Sequence, residues 1–351
     1  MEEGSSKFRV AHLSDLHIAS EAERCGFHDK KGLMAKSSIF LQALYGLRAK
    51  ELMSSFSLRY LRALTRSLST QHSLDGKAYD CFLVTGDLAT TGEHEDISEA
   101  KKLFSGGYIP GSAEGLANAG LKIPYHRLVI LPGNHDRYIG RWLTPKSTNF
   151  ESKRHFGRWW KIDNPEHSAV RSKVNFTVLE PKGKVTLAIV SADFALTKTP
   201  YIRFWRMWGC GNATQSIIDE MVKTTKKLVE EGHAVIWATH FPPVAPKVSR
   251  LLRLSRHKSV IRAAELAKVN VIFSGHTHEA NSYHRASDVR IICAGSPCGA
   301  GDGERSFFDV ELEVRNRCVT AARVTKMLYT ERPARAYQGG FRKRGDFVPV
   351  V

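Results

Sequence analysis

Seven short runs rich in Val, Ile and Leu, each closed by a turn-forming or polar residue, set the narrowest limit on how this chain can fold. They are "FRVAHL" (8–13), "YDCFLVTG" (79–86), "HRLVILPG" (126–133), "VTLAIVSA" (185–192), "AVIWATH" (234–240), "VNVIFSG" (269–275) and "VRIICAG" (289–295). Runs of this length and composition read as buried strands. Helical patterns at 95–104, 214–231 and 259–268 lie between several of them, which predicts an α/β architecture. Near the end, "FFDVELEV" (307–314) and "CVTAARV" (318–324) predict a β-hairpin. No internal repeat or low-complexity linker interrupts the pattern. The expectation is therefore one domain over 1–330 with a basic helical insertion at about 27–75, followed by a basic C-terminal tail at 331–351.

At 351 residues, 42% hydrophobic and 25% charged, the chain can bury a large core, and disordered and fibrous classes are excluded. The amino end "MEEGSSKFRV" lacks the basic start and apolar centre of a secretory signal. No stretch reaches the ~18 uninterrupted apolar residues of a spanning helix, so the expected compartment is the cytoplasm. Six cysteines (Cys25, Cys81, Cys210, Cys293, Cys298 and Cys318) form no C-x-x-C pair, which argues against a disulfide framework. A net charge of +17 points to an anionic partner: a phosphorylated metabolite, a nucleic acid or a membrane surface.

The residues just past the strand ends carry the chemistry. Asp15 and His17 come after the first run, Gly86 and Asp87 after the second, and Asn134, His135 and Asp136 after the third; later runs lead into His240 and into Gly275, His276 and His278. In open α/β sheets, sites assemble at the carboxyl ends of strands. Asp15, His17, Asp87, Asn134, His240, His276 and His278 offer seven oxygen or nitrogen donors and no thiolate, a set suited to borderline or hard divalent cations. With one shared carboxylate they match two ions about 3.5–4 Å apart, the spacing that clamps both reacting oxygens of a phosphoryl group. Extended backbone at residues i and i+2 would point Asp15 with His17, and His276 with His278, into one cavity. His12 alternates out of phase with Asp15 and is expected to pack or to make a supporting hydrogen bond. His94 and His284 are expected at the surface.

In order, "DLH", "GDL", "GNHD", "ATHFPP" and "GHTH" resemble the calcineurin-like metallophosphoesterase superfamily. The resemblance implies a four-layer α/β/β/α sandwich of two mixed sheets flanked by helices, with a dinuclear centre of manganese, iron, zinc or cobalt, manganese and iron being favoured. It makes Asp15, His17 and His278 ligands of a first metal, Asn134, His240 and His276 ligands of a second, and Asp87 the bridge. His135 would face the substrate and stabilise the phosphoryl group or protonate the leaving oxygen, with Asp136 orienting it. The implied reaction is in-line attack on phosphorus by a metal-bridging hydroxide. A P-loop, a nucleophile elbow and a zinc-protease helix are all missing from the sequence.

"GDLATTGEHED" is similar to the matching stretch of the class III cyclic nucleotide phosphodiesterase branch, which implies a small, nucleotide-like phosphodiester substrate. The alternatives are a membrane-surface hydrolase of a lipid-linked phosphate or pyrophosphate, a nuclease, and a non-catalytic docking protein. Three further regions bear on this choice: the insertion, with Leu41, Leu44, Tyr45, Leu52, Phe56, Tyr60, Leu64 and Leu68 among arginines; "YIRFWRMWG" at 201–209; and "PKVSRLLRLSRHK" at 246–258. A basic rim of this kind attracts phosphate. The simpler expectation for each region alone is an apolar face on the core and solvated cations.

Overall fold

Strands that are apolar on both faces need cover on both faces, and this chain supplies it with a second sheet on one side and helices on the other. The computed structural model describes residues 5–18, 57–74, 79–90, 94–106, 120–121, 123–137, 173–195, 211–244, 253–284, 288–299, 304–331 and 340–346. The strands are β1 (Ser6–Leu13), β2 (Cys81–Val84), β3 (Leu128–Ile130), β4 (Val174–Val178), β5 (Leu187–Ala192), β6 (Ala234–Thr239), β7 (Val271–Ser274), β8 (Asn281–His284), β9 (Arg290–Cys293), β10 (Ser306–Arg315), β11 (Cys318–Thr330) and β12 (Gly340–Asp346). The helices are α1 (Leu58–Leu74), α2 (His94–Ser105), α3 (Gln215–Glu230) and α4 (His257–Leu266).

One sheet has the order β12-β11-β10-β1-β2-β3 and the other β4-β5-β6-β7-β9-β8. Both are mixed: β1, β2 and β3 run parallel while β10, β11 and β12 join antiparallel. In the second sheet β5, β6, β7 and β9 are parallel and the edges β4 and β8 are antiparallel. Alternation along β1 shows how the layers form. Phe8 and Val10 enter the core between the sheets with Ile236, Phe273, Ile292 and Val310. Ala11 and Leu13 enter the outer core beneath α1 and α2 with Leu64, Leu68, Ile97 and Leu103. A third core packs α3 and α4 on the second sheet through Ile217, Met221, Val260 and Trp237. Three cores separate four layers, the predicted α/β/β/α sandwich.

The three strands not foreseen from sequence, β4, β8 and β12, are all sheet edges. An edge strand has one neighbour and carries polar or charged residues that protect it, so "NSYH" (281–284) and "GFRKRGD" (340–346) present no apolar run to detect. β12 thus gives part of the basic tail a place in the sheet. Of the insertion, α1 is described; its Leu61, Ala63, Leu64 and Leu68 are buried, so its apolar face is committed to the core. Ser67 Oγ accepts from Phe341 N at 3.1 Å, tying α1 to β12. Leu41, Leu44, Tyr45, Leu52 and Phe56, the 201–209 stretch and residues 246–252 lie outside the described residues, as do the side chains of His94 and His284. Cys81, Cys293, Cys298 and Cys318 are free thiols, the last exposed; Cys25 and Cys210 are outside the described set.

Trp237 is fully buried and donates its indole N–H to Thr225 Oγ1 at 2.8 Å, from β6 to α3. Trp237→Phe leaves that hydroxyl without its partner and should cost about 1–3 kcal/mol in urea unfolding. Removing both partners in Trp237→Phe/Thr225→Val should recover part of the loss.

Candidate metal centre

Parallel strands deliver their carboxyl ends to one side of the sandwich. The backbone pairing continues past those ends: Asp15 N donates to Gly86 O at 3.0 Å, His17 N to Asp87 O at 3.0 Å, and Gly275 N to His240 O at 2.9 Å. All seven expected donor residues meet here. His17 Nε2 stands 3.1 Å from His278 Nε2, and His278 Nε2 stands 3.4 Å from Asp15 Oδ1. His240 Nε2 lies 3.0 Å from Asn134 Oδ1 and 3.3 Å from Asp87 Oδ2. Asp87 also faces His17 Nε2 at 4.0 Å. Two groups result that could each hold a cation, Asp15/His17/His278 and Asp87/His240/His276, and a third, His17/Asp87/His135, lies between them.

Convergence is achieved differently from the expected extended backbone. β1 stops at Leu13 and β7 at Ser274, so the ligand pairs lie beyond the strands. Asp15 (φ 52°), His17 (φ 49°), Asp87 (φ 51°), His276 (φ 71°) and His278 (φ 56°) all adopt the left-handed conformation. Left-handed residues spaced by two turn both side chains inward from a tight loop. Each such non-glycine residue costs about 1–2 kcal/mol, and strain of this kind clusters at functional sites.

Close approach fixes where glycine is required. A Cβ at Gly133 would overlap Asp87 Oδ1, and one at Gly275 would overlap Ser14 Oγ.

Cation binding needs ionised carboxylates and neutral imidazoles; Asp15, Asp87, His17 and His276 are held in those forms, whereas His240 and His278 are raised by the neighbouring carboxylates and give up a proton when a cation binds. Burial opposes ionisation of Asp15, but the close contact and charge of His278, then the charge of His240, hold its carboxyl at about 2. Asp87 is held well below the usual carboxylate range, again against burial, by His240 first. Burial lowers His17 to about 3; burial, then the charge of His240, lowers His276 to about 4. His240 rises to about 9, burial being outweighed by Asp87. Its Nδ1 donates to Thr85 O at 2.8 Å, which leaves Nε2 to face Asn134 and Asp87. Asp15 Oδ1 is buried without a hydrogen-bond partner, in front of two imidazoles. An orphaned carboxylate oxygen with that outlook fits a metal ion.

His135 is half-buried while Asn134 and Asp136 are buried. Its Nδ1 donates to Thr90 O at 3.0 Å, and its backbone N donates to Asp87 Oδ1 at 2.8 Å. Asp136 has a different task from the expected one of orienting His135. Its fully buried carboxylate accepts from Gly133 N (2.9 Å), Ala89 N (3.0 Å) and Leu88 N (3.3 Å), knotting the "GDL" and "GNHD" loops together. Burial, then Asp87, raises it to about 7 against those three amides. His12 fills both parts expected of it: it is buried, edge-on to Phe273 with centroids 4.8 Å apart, and its Nε2 lies 3.0 Å from Thr85 Oγ1. Thr85 and Thr90 were not foreseen, because a threonine after a strand carries no signal of its own; Thr90 Oγ1 donates to His17 O at 2.6 Å.

A four-layer sandwich that gathers carboxylates, an amide and imidazoles at strand ends has the build of a metal-dependent hydrolase. A family model for calcineurin-like phosphoesterases matches residues 8–280. The chain belongs to that family and is a metal-dependent phosphoesterase. Among solved structures, it is similar over 98% of each chain to a dimetal phosphatase from Danio rerio, at 11% identity and a TM-score of 0.52. It is also similar to GAP50, the anchor in the inner membrane complex of Plasmodium, at 12% identity over 96% of this chain and 89% of that one, with a TM-score of 0.48. The vacuolar protein sorting 29 of Cryptosporidium parvum is similar at 11% identity, 97% and 98% coverage and a TM-score of 0.36. No curated protein matches the sequence. At these identities the likeness concerns the fold.

Gly133→Ala should drive the new methyl group against Asp87 Oδ1. The expected result is a fold that survives by circular dichroism but binds manganese at least about tenfold more weakly in a calorimetric titration.

Proposed function

We propose that the chain hydrolyses a phosphodiester of small, nucleotide-like character, with a pair of divalent cations held by the seven converging donors, manganese or iron being favoured. The observation that carries this reading is the buried, ionised Asp87 set between the Asp15/His17/His278 and His240/His276 groups. A single carboxylate facing both groups is what a shared ligand requires. Asp15, His17 and His278 would hold one ion; Asn134, His240 and His276 would hold the other. Bound cations supply Lewis acidity at the phosphoryl oxygens and lower the pKa of water at the site. Two carboxylates against two dications leave net positive charge, which suits an anionic phosphoryl group.

His135 completes the arrangement. With Nδ1–H given to Thr90 O, Nε2 is the nitrogen that would meet substrate, and in its protonated form it can donate to a phosphoryl oxygen or hand a proton to the leaving oxygen. Asp136 holds the loop beneath it rather than the imidazole itself. The preference for a diester rests on the "GDLATTGEHED" resemblance, whose acidic stretch forms α2 with Asp96 buried.

Manganese-loaded protein should cleave bis-p-nitrophenyl phosphate faster than p-nitrophenyl phosphate; the reverse order would remove the diester preference. Prolonged chelation should abolish turnover and manganese should restore it. His135→Ala should lower kcat about 10²–10⁴-fold with metal content unchanged, as read by elemental analysis.

A further inference from the structure

The loop after β9 reaches the site as well, although no motif marks it. It runs Ala294-Gly295-Ser296-Pro297-Cys298-Gly299, and Ala294 N still pairs with Ser274 O at 2.8 Å. Ser296 is 5% exposed, and its hydroxyl donates to Asp15 O at 2.7 Å across 281 positions of sequence. Its backbone N donates to His278 O at a longer 3.4 Å. One residue thus grips the main chain of Asp15 and of His278, both left-handed. The same loop is anchored outward: Cys298 O accepts from Ser57 N, just before α1, at 2.9 Å, and Gly299 O accepts from Arg305 Nε at 3.1 Å.

We propose that Ser296 is a positioning residue: its hydroxyl holds the Asp15 and His278 loops in register and thereby sets the affinity of the Asp15/His17/His278 group for its cation. The physical case is one of strain and reach. Asp15 and His278 leave different sheets, β1 in one and β7 in the other, so no ladder hydrogen bond fixes their separation. Main-chain contacts that do are His276 N to Asp15 Oδ2 at 2.9 Å and the two bonds of Ser296, beside the side-chain approach of His278 Nε2 to Asp15 Oδ1 at 3.4 Å. Without the hydroxyl, Asp15 O loses a buried partner, and a left-handed residue with freer neighbours relaxes toward ordinary backbone. The ligand oxygens then move off the position a cation needs. In the other group, Thr85 O holds His240 and Asp136 holds the loop of Asp87, so Ser296 reaches it only indirectly, through His276 N on Asp15 Oδ2.

The inference rests on the two-cation reading, and the test separates the two. Manganese is titrated into metal-free wild type, Ser296→Ala and Ser296→Cys by calorimetry, with electron paramagnetic resonance following the coupled pair. Ser296→Ala should weaken one of the two sites roughly tenfold to hundredfold, weaken the other distinctly less, and replace the coupled signal by that of a single ion at low loading. Ser296→Cys, with a weaker donor of similar shape, should fall between, and it carries the test if the alanine variant does not fold. Wild-type affinities at both sites in the variants, or equal weakening of both sites alongside a lowered melting temperature, would overturn the proposal while leaving the metal reading intact. Failure of the wild type to bind any cation would remove both.

Discussion

Two ionised carboxylates buried side by side are the constraint on which this structure turns. Asp15 and Asp87 are 0% and 1% exposed, and an unpaired charge in such a place costs several kcal/mol. Backbone amides offset part of that cost, His276 N for Asp15 and His135 N for Asp87. Imidazoles offset more, and the raised His240 shows protons being drawn in where positive charge is wanted. The left-handed backbone adds to the load. Five such residues at about 1–2 kcal/mol each come to something on the order of 5–10 kcal/mol, comparable to the whole net stability of a typical domain, about 5–15 kcal/mol. A chain keeps that much unfavourable energy in one place only when the surrounding layers overdetermine it. Buried Asp136, with three amide donors from two loops, is part of how they do so.

The legible part of the sequence was the part written in apolar runs and in spacing. Central strands such as β5, β6 and β9 are buried along their whole length, and burial on both faces is what makes a run visible. Edge strands are not, since β12 takes Arg342 and Lys343 to stay soluble on its open side. The donor set was legible because ligand chemistry restricts residue type, and Asp15, His17, Asp87, Asn134, His240, His276 and His278 all arrive at one place. Their backbone was not. Spacing by two is shared by extended chain and by alternating left-handed turns, so Asp-x-His could not tell one from the other. Supporting residues were the least legible, because Thr85 acts through its carbonyl toward His240 and Asp136 acts in part on the amides of Leu88 and Ala89, remote in sequence. Those roles exist only once the loops have met.

The site also explains why a sandwich of two sheets is a useful support. Asp15, His17, Asp87 and Asn134 lie past strands of the first sheet, while His240, His276 and His278 lie past strands of the second. Each proposed ion therefore has ligands from both sheets: Asp15 and His17 against His278, and Asn134 against His240 and His276. Binding would then link the sheets across their shared core, and the stability gained rises with the logarithm of cation concentration over Kd. The converse holds for the core beneath. His12 touches Phe273 and Phe308 with its imidazole on Thr85, and Thr85 O in turn accepts from His240 Nδ1, so the inter-sheet core and the proposed ligand His240 share one chain of contacts.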